Sequence, residues 1–176
     1  MQFKAAEIPG IWIIDLDRKE DDRGFFARTW CREEFAAHGL ETNVVQTSIS
    51  FNARRGTLRG MHYQIAPHEE TKVIRCARGA IYDVLVDLRP KSSTFKKWIA
   101  VELTQENQRE LYVPGGIAHG FQTLVDSTEV SYQMSEVYHP ESARGIRWND
   151  PQLNIPWPIA NPISSPRDQQ LPFLSS

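Results

Sequence analysis

The chain has little cysteine, no long apolar run and almost no net charge, and each shortage removes a class of protein. Cys31 and Cys76 are the only cysteines. They stand too far apart for metal-ligand spacing and are too few for a disulfide framework, which fits a reduced, cytoplasmic setting. No stretch approaches the roughly 20 apolar residues of a membrane span, and the N-terminus has no basic flank followed by an apolar run. The expectation is a soluble domain without a membrane partner. Twenty Lys and Arg against 22 Asp and Glu leave a net charge of −2, so there is no broad basic field for nucleic acid, although a local basic pocket remains open. Also absent are a Gly-rich phosphate loop before a helix, a nucleophile elbow, internal repeats and low-complexity tracts.

What is present is a series of short apolar, β-branched segments about ten residues apart. Two strands around Pro9-Gly10 are expected within residues 3–16, a strand over Phe25–Trp30 after the Asp21–Gly24 turn, and a helix from Cys31 to His38 closed by Gly39. Further strands are expected at 44–50, 58–64, 72–78, 81–88, 98–103, 110–114, 115–121 and 129–134. Over 81–88, Tyr82, Val84, Val86 and Leu88 form one apolar face. Asp83 and Asp87 interrupt the other, and a carboxylate there must be paired or face a cavity. The pattern argues an all-β sandwich or barrel with few short helices. At 176 residues it is one domain, its segment 149–176, with six prolines, wrapping on the sheets as loop.

The chemistry concentrates in Thr57–Arg78. Alternation puts Leu58, Gly60, His62 and Gln64 on one strand face and Arg59, Met61 and Tyr63 on the other. Lys72 opens the next strand, beyond a polar, Pro-containing loop. A base and two cations this close can take a proton and hold an anion. A metal-binding barrel would usually offer His-x-His, but the residue two after His62 is Gln64, and His119 has no companion nearby. Proton transfer beside a carbonyl needs a base, a cation at the enolate oxygen and an acid. His62, Lys72 and a tyrosine such as Tyr132 supply those types.

Several blocks in order carry a family likeness: Asp22-Arg23-Gly24-Phe25-Phe26, Leu58-Arg59-Gly60-Met61-His62, Lys72 to Gly79, Asp83 to Arg89, Pro114 to Phe121, Trp148-Asn149-Asp150-Pro151 and Ser165-Pro166-Arg167-Asp168. On these the chain resembles, over about its whole length, the dTDP-4-dehydrorhamnose 3,5-epimerases, cupin-fold enzymes of deoxysugar biosynthesis for lipopolysaccharide and other cell-surface polysaccharides. The resemblance implies a jelly roll, a homodimer with strands contributed across the interface, and a mechanism with no metal and no cofactor. It makes His62 the base that removes protons alpha to a 4-keto group of a nucleotide-diphospho-sugar. Asp168 would orient His62, Lys72 would hold the enolate oxygen, and Tyr132 would return the proton from the opposite face. Arg23, Arg59 and His119 would contact diphosphate or sugar, with Gln46, Ser48 and Tyr138 lining the pocket and Asp83 supporting His119 or Lys72. Inversion at C3 and C5 is expected, against the alternatives of one centre on another nucleotide sugar or a cupin that binds without turnover.

The chain also departs from the pattern. Arg28 stands where many of these enzymes carry Glu, Ala143 replaces a second acidic residue, and Thr47-Ser48 replace a pair containing Asn. An arginine cannot accept the N3–H of thymine but can donate to a base carbonyl or a phosphate. Arg28 therefore bears on which nucleotide is recognised, with dTDP expected first and CDP or another second.

Overall fold

The computed structural model describes residues 1–174, so Ser175 and Ser176, the end of the expected wrapping tail, lie outside it. In chain order the elements are β1 (Gln2–Ala5), β2 (Trp12–Asp15), β3 (Lys19–Asp21), β4 (Gly24–Phe26), α1 (Arg32–Ala37), β5 (Gln46–Asn52), β6 (Leu58–Gln64) and β7 (Lys72–Arg78). They continue as β8 (Ala80–Asp87), β9 (Trp98–Thr104), β10 (Glu110–Val113), β11 (Ile117–Thr123), β12 (Thr128–Met134), β13 (Ala143–Gly145) and α2 (Pro166–Gln169). A six-stranded sheet runs β1-β2-β10-β7-β12-β5 and a five-stranded sheet β13-β6-β11-β8-β9, while β3 and β4, among the described residues, pair only with each other. Every pairing between named strands is antiparallel. The arrangement is the jelly-roll type, as two facing sheets with open edges.

Alternation sorts the side chains into three layers. Between the sheets, Ile74, Cys76, Leu111, Val113 and Val130 meet Ile81, Leu85, Leu103, Ile117 and Phe121. The other face of the five-stranded sheet, carrying Val84, Val86 and Ala118, is covered by Ile146 and by Leu153, Ile155, Trp157 and Leu174 of the Pro-rich tail. The outer face of the six-stranded sheet meets α1 through Phe35, which packs against Ile14, Val73 and Tyr112. Helix α1 ends at Gly39, whose φ of +68° suits a residue without Cβ. Asp83 and Asp87 face the interior, both are fully buried, and both are paired, one of the two outcomes expected for a carboxylate on β8. Asp87 is satisfied by its own turn: it accepts from the Arg89 backbone and guanidinium and from the Ser92 and Thr94 hydroxyls.

Three readings change. The strand expected over 25–30 stops at Phe26, because β4 has only β3 to pair with. The tail, read as loop, contains α2. Its signal was present: Ser165 caps the helix by accepting from Asp168 N at 3.1 Å, with Pro166 in the first turn. Arg59 and His62, assigned to opposite faces, line the same cavity.

That last change has a local cause. His119 of β11 pairs with His62, and Phe121 with Arg59, so two steps on β11 face three on β6. The extra residue is a β-bulge, which reverses the facing of side chains on either side of it. It sits at Gly60, whose φ is +123° and whose added Cβ would come 2.5 Å from Gly120 Cα. No side chain fits that crossing.

Candidate functional site

A cavity of about 520 Å³ opens between the sheets at one end of the sandwich, within the size of small-molecule sites. The five-stranded sheet contributes Arg59 and His62 from β6, His119 from β11 and Arg144 from β13. The six-stranded sheet contributes Gln46 and Ser48 from β5, Lys72 from β7 and Tyr132 from β12. Register aligns the second group, with Met134 opposite both Lys72 and Gln46, and Tyr132 opposite Ser48 and Ile74.

His62 Nε2 lies 2.8 Å from Asp168 Oδ1, and Asp168 Oδ2 accepts from Gly60 N at 3.2 Å. The carboxylate is 5% exposed and the imidazole 43%. Burial alone would raise the Asp168 carboxyl, but the bond to His62, the attraction to that ring when it is protonated, and the contacts with the Gly60 N–H and the Ser165 hydroxyl bring it below the ordinary value. An ionised carboxylate only accepts, so Nε2 carries the proton and Nδ1 keeps the lone pair. The bulge supplies both halves of this arrangement, the turned imidazole and the Gly60 N–H.

His119 Nε2 lies 2.8 Å from Asp83 Oδ2, with the two side chains 6% and 0% exposed. Burial pushes the Asp83 carboxyl up, against the opposing influence of His119 and then Lys72. Its second oxygen, Oδ1, has no hydrogen-bond partner among the described residues. Asp83 thus sits behind His119 rather than on the cavity surface. Lys72 Nζ pairs with Glu70 Oε1 at 2.7 Å, both side chains 11% exposed. Arg59 is aimed by Asn52, whose Oδ1 accepts from Nε at 2.8 Å. Burial, and then the Asp83 charge, hold the Tyr132 phenol far above its ordinary value of 10, with Arg59 opposing. Tyr132 therefore stays protonated, the form an acid requires.

The cavity thus gathers His62, Lys72, Tyr132, Asp168, Gln46, Ser48, Arg59, His119 and Tyr138. Arg23 and Arg28 are elsewhere. Arg23 pairs with Asp21 on the β3–β4 hairpin at 2.6 Å, its side chain 90% exposed. Arg28 pairs with Glu34 of α1 at 3.0 Å and is 63% exposed. Sequence reasoning missed Glu70, Arg144 and Arg167, all of which line the cavity. Glu70 could have been suspected from its place two residues before Lys72. Arg167 is fixed by the Ser165-Pro166 helix start. With Arg59 and Lys72, the two arginines give the cavity four cations against the carboxylates of Glu70 and Asp168, a balance suited to an anionic diphosphate.

Comparison with known proteins gives a consistent result. A family model described as dTDP-4-dehydrorhamnose 3,5-epimerase matches residues 5–176. The curated dTDP-4-dehydrorhamnose 3,5-epimerase of Shigella flexneri is 41% identical over 169 residues, covering 96% of this chain and 93% of that protein. A dTDP-4-dehydrorhamnose 3-epimerase of Streptomyces niveus is 35% identical over 176 residues, covering 99% of this chain and 84% of that protein. The crystal structure of the dTDP-4-dehydrorhamnose 3,5-epimerase from Bacillus anthracis strain Ames, with TDP and PPi bound, superposes with a TM-score of 0.96 at 41% identity, covering 98% of this chain and 99% of that one.

Proposed function

The chain belongs to the dTDP-4-dehydrorhamnose 3,5-epimerase family and is an epimerase, and on that premise we propose that it inverts C3 and C5 of a dTDP-linked 4-keto-6-deoxyhexose. The observation that carries the reading is the His62–Asp168 pair, opening into the same cavity as Lys72 and Tyr132. His62 Nδ1 takes the proton from the carbon next to the C4 ketone, and the electron pair moves onto O4. Lys72 holds the developing oxyanion, with Glu70 keeping the ammonium in place when substrate is absent. Tyr132 donates a proton to the same carbon from the other side. His62 and Tyr132 belong to opposite sheets, which pack at about 10 Å, so a sugar ring between them is approached on its two faces. Inversion follows from that opposition.

Both C3 and C5 flank C4, so one base and one acid serve both if the ring is presented twice, with the proton gained by His62 and the one lost by Tyr132 exchanged through solvent between the two steps. A single inversion at C3 is the second reading, motivated by the Streptomyces niveus relative. In D2O, dTDP-4-keto-6-deoxyglucose is expected to take up deuterium at C3 and C5. Label at one carbon after exhaustive reaction would replace the first reading with the second, and label at neither would remove the proposed activity.

The working unit of this proposal is a homodimer in the cytoplasm. Its support is that the β3–β4 hairpin joins neither large sheet, that Phe26 on it is 73% exposed, and that the edge strand β5 exposes Ile49 and Phe51 at 68% and 53%. Such apolar surface beside an unpaired strand edge is an association surface. A second chain's hairpin laid there carries its Arg23 toward the cavity, where a diphosphate would meet it. The free thiols Cys31 and Cys76 suit a reducing compartment, and no helix among the described residues is long and apolar enough to cross a membrane.

A further inference from the structure

Outside the cavity, two loops distant in sequence bring together His68, from the connection between β6 and β7, and Glu136 and His139, from the connection between β12 and β13. One ligand atom from each lies within 4.8 Å of the others, and none of the three lines the cavity. Glu136 reaches both histidines: its Oε2 is 3.8 Å from His68 Nδ1 and its Oε1 is 3.7 Å from His139 Nε2. These separations are too long for hydrogen bonds. Two donors that share one ion at about 2.1 Å stand no more than about 4.2 Å apart, so both fall within that range.

The surroundings are built to hold the group. His139 Nδ1 is 3.1 Å from Glu141 Oε1, which places the ring's proton on Nδ1 and turns Nε2 toward Glu136 as a lone pair. A carboxylate behind a ligating histidine is the usual way such a ligand is oriented. The two loops are tied at their bases, by Thr71 and Ser135 through backbone and hydroxyl, and by Gln64. Buried Gln64 donates to His68 O at 3.0 Å and Val137 O at 3.1 Å and accepts from His139 N at 2.7 Å. It therefore clamps the backbone of both histidines. The imidazoles stack with centroids 3.5 Å apart and planes at 10°. For joint ligation the stack must open by rotation of the His68 ring about χ2, a broad torsion in histidine, while Glu141 keeps the His139 ring in place.

We propose that His68, Glu136 and His139 bind a divalent transition-metal ion of the zinc class, with Glu141 orienting His139, and that the ion fastens together the two loops carrying Glu70 and Tyr138 to the cavity. Two imidazoles and one carboxylate form a zinc-type ligand set. The ion stands apart from His62 and Tyr132 and takes no part in proton transfer. Its effect is to hold the wall of the cavity.

The test uses untagged, chelator-stripped protein titrated with Zn2+ against a chromophoric chelator. One ion per chain is expected, with affinity reduced at least a hundredfold in His139→Gln or His68→Gln and about tenfold in Glu141→Gln. Zinc should raise the melting temperature of the wild type and not of the two histidine variants, each shown by circular dichroism to be folded without it. If a histidine variant does not fold, Co2+ added to the wild type should shift the ring resonances of His68 and His139 and leave His38 unmoved. No uptake of Zn2+ by the wild type, wild-type affinity in His139→Gln, or a Co2+ shift centred on other histidines would each overturn the proposal.

Discussion

His62 and His119 stand directly opposite each other across the β6–β11 pairing, and each turns Nε2 to its own aspartate at 2.8 Å. The chemistry of the two pairs nevertheless diverges. Asp168, which also holds the Gly60 N–H, is stabilised as a carboxylate, and its imidazole is 43% exposed to the cavity. Asp83 is fully buried, its carboxyl pushed up by that burial, and its imidazole is 6% exposed. A base needs a lone pair on an accessible ring and a fixed negative partner behind it, which fits the first pair. A buried ring with one edge on the cavity suits a hydrogen bond to a sugar hydroxyl or phosphate, which fits the second.

The first expectation concerns Asp168→Asn, a change that keeps size and removes charge. Gly60 N–H must still be accepted, so the amide oxygen takes the Oδ2 position and the NH2 faces His62 Nε2. Nε2 then becomes the acceptor, the ring proton moves to Nδ1, and the lone pair leaves the cavity. Turnover should fall by about 10³–10⁴, the scale seen when an orienting carboxylate is replaced by its amide, with little change in KM. The His62 tautomer, read by 15N NMR, should switch. A variant with an unchanged tautomer and a loss under tenfold would separate Asp168 from the base.

How much of this was legible in the sequence depends on the range of the signal. Strand periodicity is local, and on β8 it marked Asp83, which is buried and paired with His119, as a carboxylate that must be paired or face a cavity. It failed on β6, where one extra residue at Gly60 put Arg59 and His62 on one side; a lone glycine within a strand pattern was the available cue. The Asp168 partner lies 106 residues from His62, beyond any local pattern, and was named through the family resemblance alone. Six prolines concealed α2, although Ser165, Pro166 and Asp168 mark a helix start. Arg23 and Arg28 came from the same resemblance, and the cavity of a single chain does not include them.

Tyr132→Phe should uncouple the two half-reactions. The ring and its T-shaped contact with His119, at 6.1 Å between centroids, are kept, and only the hydroxyl is lost. His62 can still remove and return its proton on one face. Deuterium should therefore enter substrate that retains its configuration, while inverted product falls by at least about 10². Mass and NMR analysis of recovered sugar nucleotide separates the two, and inversion at the wild-type rate would assign the acid to another group.

Glu110 gives a pH-dependent stability that does not involve the cavity. Burial, opposed by Arg75 at 3.7 Å, pushes its carboxyl from 4.5 up to about 8, and Oε2 has no hydrogen-bond partner among the described residues. A raised folded value means the contribution is fully present below about 4.5 and is lost as pH rises through about 8. Glu110→Gln mimics the neutral acid. It should be more stable than the wild type at pH near 8.5 by roughly a few kcal/mol at most, with the gap closing toward pH 4.5. Thermal melts across that range decide it, and a gap that stays constant with pH would mean Glu110 is ionised throughout.

Nucleotide choice is tested at Arg28. Its guanidinium is engaged by Glu34 at 3.0 Å and lies outside the cavity of its own chain. If the base is held by the cavity walls alone, Arg28→Glu should leave the relative affinities of dTDP, CDP, UDP and GDP unchanged, with dTDP first. A reordering of those affinities, measured by calorimetry, would give Arg28 a share in base recognition through an assembled dimer.

The dimer itself has a test that needs no structure of the assembly. In the proposed arrangement each cavity takes His62 from its own chain and Arg23 from the partner subunit's hairpin. Arg23→Ala and His62→Ala homodimers should both be nearly inactive, for different reasons: one has lost an anion contact, the other its base. When the two are unfolded together and refolded as a mixture, a mixed dimer combines an intact His62 on one chain with an intact Arg23 on the other. One of its two cavities is then complete and the second carries both lesions. Random pairing makes about half the dimers mixed, each with half its cavities working, so the mixture should recover about a quarter of wild-type activity. Hairpins that serve their own chain would give no recovery, because every cavity would then carry one lesion. A mixture as inactive as its parents, with mixed dimers demonstrated by native mass spectrometry, would place Arg23 outside the partner's site.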